Sequence, residues 1–497
     1  MPSTPFAGHA LRRCRSHAHA YSGPLRRAGR GHATRRRTLL PVTERSREHA
    51  RGCVAALGIY NAWPDPRRAR GRTMNDLERR LLGEILSIRA VDCHSHVPPE
   101  SPHARSLWDL LGYHYYTELA HSAGMPAEAV DARRSEDERI GEMVARLETL
   151  DNTVQHSWLM EAARELFGFR AERLTAENWP DLARAVAEAA RLEGRYRAVL
   201  AKANLEKVFL TNRFDEDLAP VDRTVFVPCL RADDLVFNMA DADVRRRLAA
   251  RTGVDVASTG DVRQAAHELM RHFVQHGGAS AAIGLPPDFE PRAPDESAAG
   301  RALAHALKGR GPAPDEAGAL AAFVFDVLAA ACREFRRPFQ LMIGAIRNIY
   351  PAGVPGGRDL LSKQGSLAAY ADLFRRYPQV DFTVSVLSMA WAHELATFAW
   401  IFPNVKPSGH WWYTNIPAHI EYDLRGRLEA LPKVKLIGYY SDMYKVEFGL
   451  PKFNMYRRIL ARILAREFVA PGRLTESQAV DVAGLLLREN PKRIFGV

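Results

Sequence analysis

The chain has 497 residues, 46% hydrophobic and 26% charged, an ordinary globular composition able to bury a large core in two to four domains or one large barrel. No run of 18 apolar residues occurs, which excludes a membrane-spanning helix. The five dispersed cysteines (Cys14, Cys53, Cys93, Cys229, Cys332) form no CxxC pair and argue against a disulfide scaffold or a cysteine zinc site. The net charge of +11 would suit nucleic acid, but it is unevenly placed: residues 1–73 hold 16 of the 69 basic side chains and only 3 of the 58 acidic ones. The rest is near neutral, so neither nucleic acid nor a membrane is the expected partner of the folded part.

Residues 1–73 carry arginine without lysine, scattered His, Gly and Pro, and no hydrophobic periodicity. Thr34–Leu40 (TRRRTLL) hints at a twin-arginine signal, but Glu44, Arg45, Arg47 and Glu48 follow where an apolar stretch is required. A disordered, functionally silent leader is expected, with translation starting at Met74. Leu77, Leu81, Leu82, Ile85 and Leu86 then give one apolar face, which predicts a helix. A short strand over 88–93 follows and ends in His94-Ser95-His96. Residues 101–200 read as helices without strands, an insertion in what comes next.

Apolar runs with β-branched or aromatic residues recur after it at 207–211, 224–230, 281–285, 338–344, 381–388, 405–412 and 435–442, each followed by a loop and a helical stretch. With the strand before His94 they make eight, the pattern of a (β/α)₈ barrel of the TIM type over 74–497. Pro407 and Gly409 interrupt the seventh. Helices over 455–468 and 476–489 close the chain.

In a strand, residues i and i+2 point the same way, so His94 and His96 can present two imidazoles to one metal at the C-terminal mouth of the barrel. Asp442 ends the eighth run and supplies a third, hard ligand, a set that suits zinc, manganese or iron. A helix cap is the structural alternative for Ser441 or Asp442.

HxH after the first strand with Asp after the eighth resembles the amidohydrolase superfamily. The surroundings resemble the uronate (glucuronate) isomerases, in particular a divergent branch. The segments that carry the resemblance are LWDLLGYHY (107–115), FLTN (209–212), CLRAD (229–233), GLPPDF (284–289), PFQLMIG (338–344), HEL (393–395), GHWWYTNIP (409–417) and Ser441-Asp442. They run in the family's order and span nearly everything from 85 to 497.

The resemblance implies the barrel with a helical insertion after the first strand, and isomerisation of D-glucuronate to D-fructuronate or of D-galacturonate to D-tagaturonate. Such chemistry removes a proton from C2, forms an enediol and returns the proton to C1. It needs a base, a Lewis acid and an anchor for the distal carboxylate. By resemblance, one divalent metal ion, zinc in the first place, is held by His94, His96 and Asp442. Asp442 also handles the hydroxyl proton, Tyr115 is the C2/C1 proton carrier, and His114 supports Tyr115. Arg231 matches the family's R-x-D arginine, and one of Trp411 and Trp412 forms a wall for the sugar, Trp411 being the choice.

Three positions depart from the family pattern. Met342 replaces a histidine after the fifth strand, as in the divergent branch. Met389 follows Ser388 where that branch has arginine, and Tyr444 stands at the family's arginine after Asp442, with Lys445 one residue late. The expectation is that Arg231 and Lys445 hold the carboxylate. The segment ends Leu285-Pro286-Pro287, Met342 and Ser388 offer no bridging lysine and no further histidines, which excludes a binuclear hydrolase. A mononuclear amidohydrolase or decarboxylase and a non-catalytic sugar-binding barrel are the competing functions. A cytoplasmic enzyme acting on a small sugar acid, compatible with a homo-oligomer, is expected.

Overall fold

The computed structural model describes residues 75–362 and 365–497. The expected leader, 1–73, lies outside the described residues. The predicted first helix is Asp76–Ser87. The Asn75 side chain caps it by accepting from the Glu78 N–H, and Leu81 and Ile85 bury its inner face against the helix Gly449–Ile463.

Seven of the eight expected strands pair as parallel neighbours in chain order. The first (Ala90–Asp92) pairs with the second (Leu205–Phe209), which resumes at Asn212–Arg213 beside a similarly divided third (Phe226–Val227, then Cys229–Arg231). The division of the third falls at Pro228, which has no N–H for the ladder. The Asn212 carboxamide fills part of the gap by accepting from Cys229 N. The fourth (Ser280–Leu285), fifth (Phe339–Ile343), sixth (Phe382–Val386) and seventh (Val405–Pro407) follow in register.

The seventh and eighth strands are shorter than their sequences suggest. The seventh stops at Pro407, because Gly409 turns into the left-handed region at φ +49°. The eighth is a single bridge of Ile437 to Ser408, since Gly438 N turns away to bond Leu486 O in the tail. The ring nevertheless closes at its C-terminal rim, where Asp442 N donates to His94 O (3.1 Å) and His96 N donates to Met443 O (2.8 Å). The rim is therefore tied at the residues expected to do chemistry.

Gly409 tests this geometry. A Cβ there would overlap the Tyr440 ring, on a backbone few side chains adopt. Gly409→Ala is expected to destabilise the protein by about 1–3 kcal/mol, read as a lower urea midpoint.

The stretch between the first and second strands holds helices and, among the described residues, no strand, as expected: Trp108–Leu111, His114–Ser122, Glu136–Leu147, Val154–Phe167, Trp179–Ala190 and Arg195–Lys202. Ser135 and Glu138 form a reciprocal cap on the third of these, and Gly168 ends the fourth at φ +71°. The insertion docks on the C-terminal helix Gly449–Ile463 through Val154–Phe167. Among the described residues, no helix is long and apolar enough to cross a membrane.

Candidate metal centre

His94 and His96 leave the first strand at the mouth, where their flanking residues fix the backbone. The Ser95 hydroxyl donates to Phe209 O (2.6 Å), and Asp92 accepts from both the N–H and the hydroxyl of Ser441. The imidazoles meet edge to face, with centroids 5.2 Å apart.

The tautomer of His96 follows from its neighbour. Thr211 Oγ1 donates its only proton to Ser95 O (3.0 Å), so it accepts from His96 Nδ1–H at 2.6 Å. His96 Nε2 is left with a free lone pair, 3.4 Å from Asp442 Oδ1. His94 Nε2 lies 3.7 Å from the same oxygen. That spacing suits donors sharing one ion at bonds of about 2 Å.

Asp442 adopts φ +54°, and contacts on every side hold it there. Its N–H donates to His94 O, its carbonyl accepts from the Tyr113 hydroxyl (2.7 Å), and Oδ2 accepts from the Tyr115 hydroxyl (2.8 Å). Oδ1 has no protein partner although it is buried, and neither have the two ring nitrogens of His94, a residue only 2% exposed. Buried polar groups without partners are costly, and a cation between them satisfies His94 Nε2 and Asp442 Oδ1 together. The three donor atoms lie within 4.8 Å of one another and form the one such cluster found among the described residues. The donor set fits a divalent metal.

The ionisation states agree with that fit. Burial pushes His94 down to about 3, so its ring is neutral and able to ligate. Burial opposes the charge on Asp442, but the facing imidazoles and the charge of Lys452 outweigh it. Asp442 stays a carboxylate well below the usual range.

A cavity of about 50 Å³ opens beside the triad, lined by His94, His96, Thr211, Arg231, Asp233, Gly284, Met342, Arg347 and Trp411 among others. Arg231 is braced by Asp233 (3.4 Å) and Arg347 by Asp359 (2.6 Å). Gly284 leaves room between them, since a Cβ there would sit 3.3 Å from both Arg347 Nη2 and Asp233 Oδ1. Arg347 escaped the reading of the sequence. It follows the fifth strand on the same rim as the other site residues, and that position was the available signal.

A family model described as glucuronate isomerase matches residues 73–488. The chain belongs to this family. It is 25% identical to a uronate isomerase of Corynebacterium efficiens, over 88% of this chain and 99% of that protein. It is 26% identical to one of Rhizorhabdus wittichii, over 82% and 92%. The solved glucuronate isomerase of Caulobacter crescentus superposes with a TM-score of 0.78 at 20% identity, covering 88% of this chain and 97% of that one. The uronate isomerase of Thermotoga maritima gives 0.77 at 20% identity, covering 85% and 97%.

Within this glucuronate isomerase fold, the expected site residues divide. Tyr115 is joined to Asp442, and His114 Nδ1 lies 2.6 Å from Glu118 Oε1 with its ring 4.5 Å from that of Tyr115. Trp411 lines the cavity, whereas Trp412 packs on His114 and Tyr115 and donates to Glu118. Arg231 is in place.

Lys445 is not, and the expectation that it holds a carboxylate is corrected. Its ammonium donates to Ser101 O (2.8 Å) and Ser101 Oγ (3.1 Å), beside Asp109, and it does not line the cavity. The left-handed turn at Asp442 redirects the chain, so Tyr444 stacks over His96 at 5.0 Å while Lys445 turns toward the 98–102 loop, bound there by Val446 N to Pro102 O. Arg347, and not Lys445, lines the cavity with Arg231.

Proposed function

We propose that this chain is a metal-dependent aldose–ketose isomerase of hexuronates, converting D-glucuronate to D-fructuronate or D-galacturonate to D-tagaturonate through an enediol. The double use of Asp442 carries the reading. One oxygen faces the two imidazoles and the other accepts from a phenol, so ion and proton donor share one carboxylate. A divalent ion held by His94, His96 and Asp442, zinc or else manganese or iron, would polarise sugar oxygens.

The protein's groups then take separate parts. Tyr115, its hydroxyl fixed on Asp442 Oδ2, carries the proton between C2 and C1, and Asp442 handles the hydroxyl proton. His114, bonded to Glu118, packs against Tyr115 and holds its ring. Arg231 and Arg347 offer a distal carboxylate two cations, each kept in place by its own aspartate. Trp411 walls the cavity.

The purified protein, loaded with zinc or manganese, is to be incubated with hexuronates, neutral aldoses and simple amides in D₂O and followed by NMR. Ketouronate from a hexuronate is expected. Turnover of an amide alone would replace this reading with a hydrolase. Tyr115→Phe removes the hydroxyl that carries the proton and is expected to lower kcat by roughly 10²–10⁴-fold with KM little changed.

A further inference from the structure

Behind the Tyr115–Asp442 pair lies a buried lysine that the reaction above leaves without a part. Lys452 is 0% exposed and follows Pro451 in the helix Gly449–Ile463. Its ammonium donates to Ser441 O (2.7 Å) and to the Tyr113 hydroxyl (3.0 Å), and the rings of Tyr113, Tyr115 and Trp158 surround it at 4.9, 4.8 and 4.7 Å. An ammonium only donates. The Tyr113 oxygen therefore accepts from Lys452, and its own proton goes to Asp442 O.

Both carbonyls around the left-handed aspartate are thus gripped, that of Ser441 directly and that of Asp442 through the phenol. From the other side, the Asp92 carboxylate takes the N–H and hydroxyl of Ser441. Lys452 on one side and Asp92 on the other therefore hold the turn that aims Asp442 at the imidazoles. The same ammonium faces the Tyr115 ring, whose hydroxyl is fixed on Asp442 Oδ2.

We propose that Lys452 is a positioning residue for metal binding: its caged ammonium locks the Ser441–Asp442 turn and the Tyr113–Tyr115 pair, so the third ligand is preset before the ion arrives. This rests on the metal reading of the triad and not on the identity of the sugar.

The test is titration of the metal-free full chain with Zn²⁺ against a chromophoric chelator, together with visible spectra of the Co²⁺-loaded protein. Lys452→Met keeps the apolar stem and removes charge and donors, Lys452→Arg keeps both, and Tyr113→Phe removes only the relay. Lys452→Met is expected to weaken Zn²⁺ binding by about 10–100-fold, the usual loss for a partner that orients a ligand. Its Co²⁺ spectrum shifts, Lys452→Arg recovers part of the affinity, and Tyr113→Phe shows a smaller loss. Wild-type affinity and an unchanged Co²⁺ spectrum in Lys452→Met overturn the proposal. Should that variant fail to fold, wild-type affinity in Tyr113→Phe overturns it. Wild-type protein that binds Zn²⁺ yet turns over no hexuronate would refute the substrate reading alone.

Discussion

His94→Ala is expected to remove the bound metal and to lower turnover by about a thousandfold or more. A bound ion contributes several kcal/mol of charge stabilisation, and each 1.36 kcal/mol is a decade in rate. The ring has no protein partner for either nitrogen, so alanine breaks no hydrogen bond. The variant leaves a void where the imidazole stood but should still fold, which separates loss of metal from loss of structure. Metal analysis of the dialysed protein beside its circular dichroism spectrum checks both points. A folded His94→Ala protein that kept stoichiometric metal would move the centre elsewhere.

Replacing Arg347 or Arg231 by methionine is expected to raise KM for hexuronates by about tenfold each and to leave neutral aldoses unaffected. A hydrogen bond to a charged group contributes about 1.5–3 kcal/mol. The lower end applies, because both guanidinium groups are half exposed and water screens them. The double variant should approach a hundredfold if the two act independently. Lys445→Ala should leave the ratio of hexuronate to neutral-sugar KM unchanged, since its ammonium is bound to Ser101. Equal losses on charged and neutral sugars in the arginine variants would mean that neither holds a carboxylate.

The strands and the triad were legible in the sequence for a shared reason. Alternation along a strand and the rule that barrel chemistry sits at the C-terminal ends place His94, His96 and Asp442 together without any knowledge of contacts. The partition around Asp442 was not legible. Counting onward from Asp442 as extended chain puts Lys445 near the mouth, and nothing in the local residues announces an aspartate at φ +54°. Arg347 depends on Asp359, which braces it across the short antiparallel pair Ala345–Ile346 with Leu360–Leu361, a spacing with no periodic signature. The Lys452 cage is built from Tyr113, Tyr115 and Trp158, some three hundred residues earlier, so only the folded chain reveals it. The eighth strand read longer than it is, because its apolar run serves packing against the tail as well as pairing.

The closure of the ring at its chemical rim has a consequence for the newborn chain. Asp92 and Ser441, which meet at the seam, are 349 residues apart. At roughly 5–20 residues per second, a ribosome leaves His94 and His96 waiting about 20–70 s for the aspartate that completes the set. Two imidazoles alone make a weak, open site, so the emerging polypeptide lacks a complete set until Asp442 is made. Metal acquisition would thereby wait for the last segment of the barrel. Once acquired, the ion acts as a rivet between the earliest and latest strands of the barrel, and its free energy of binding adds to the stability of the closed ring.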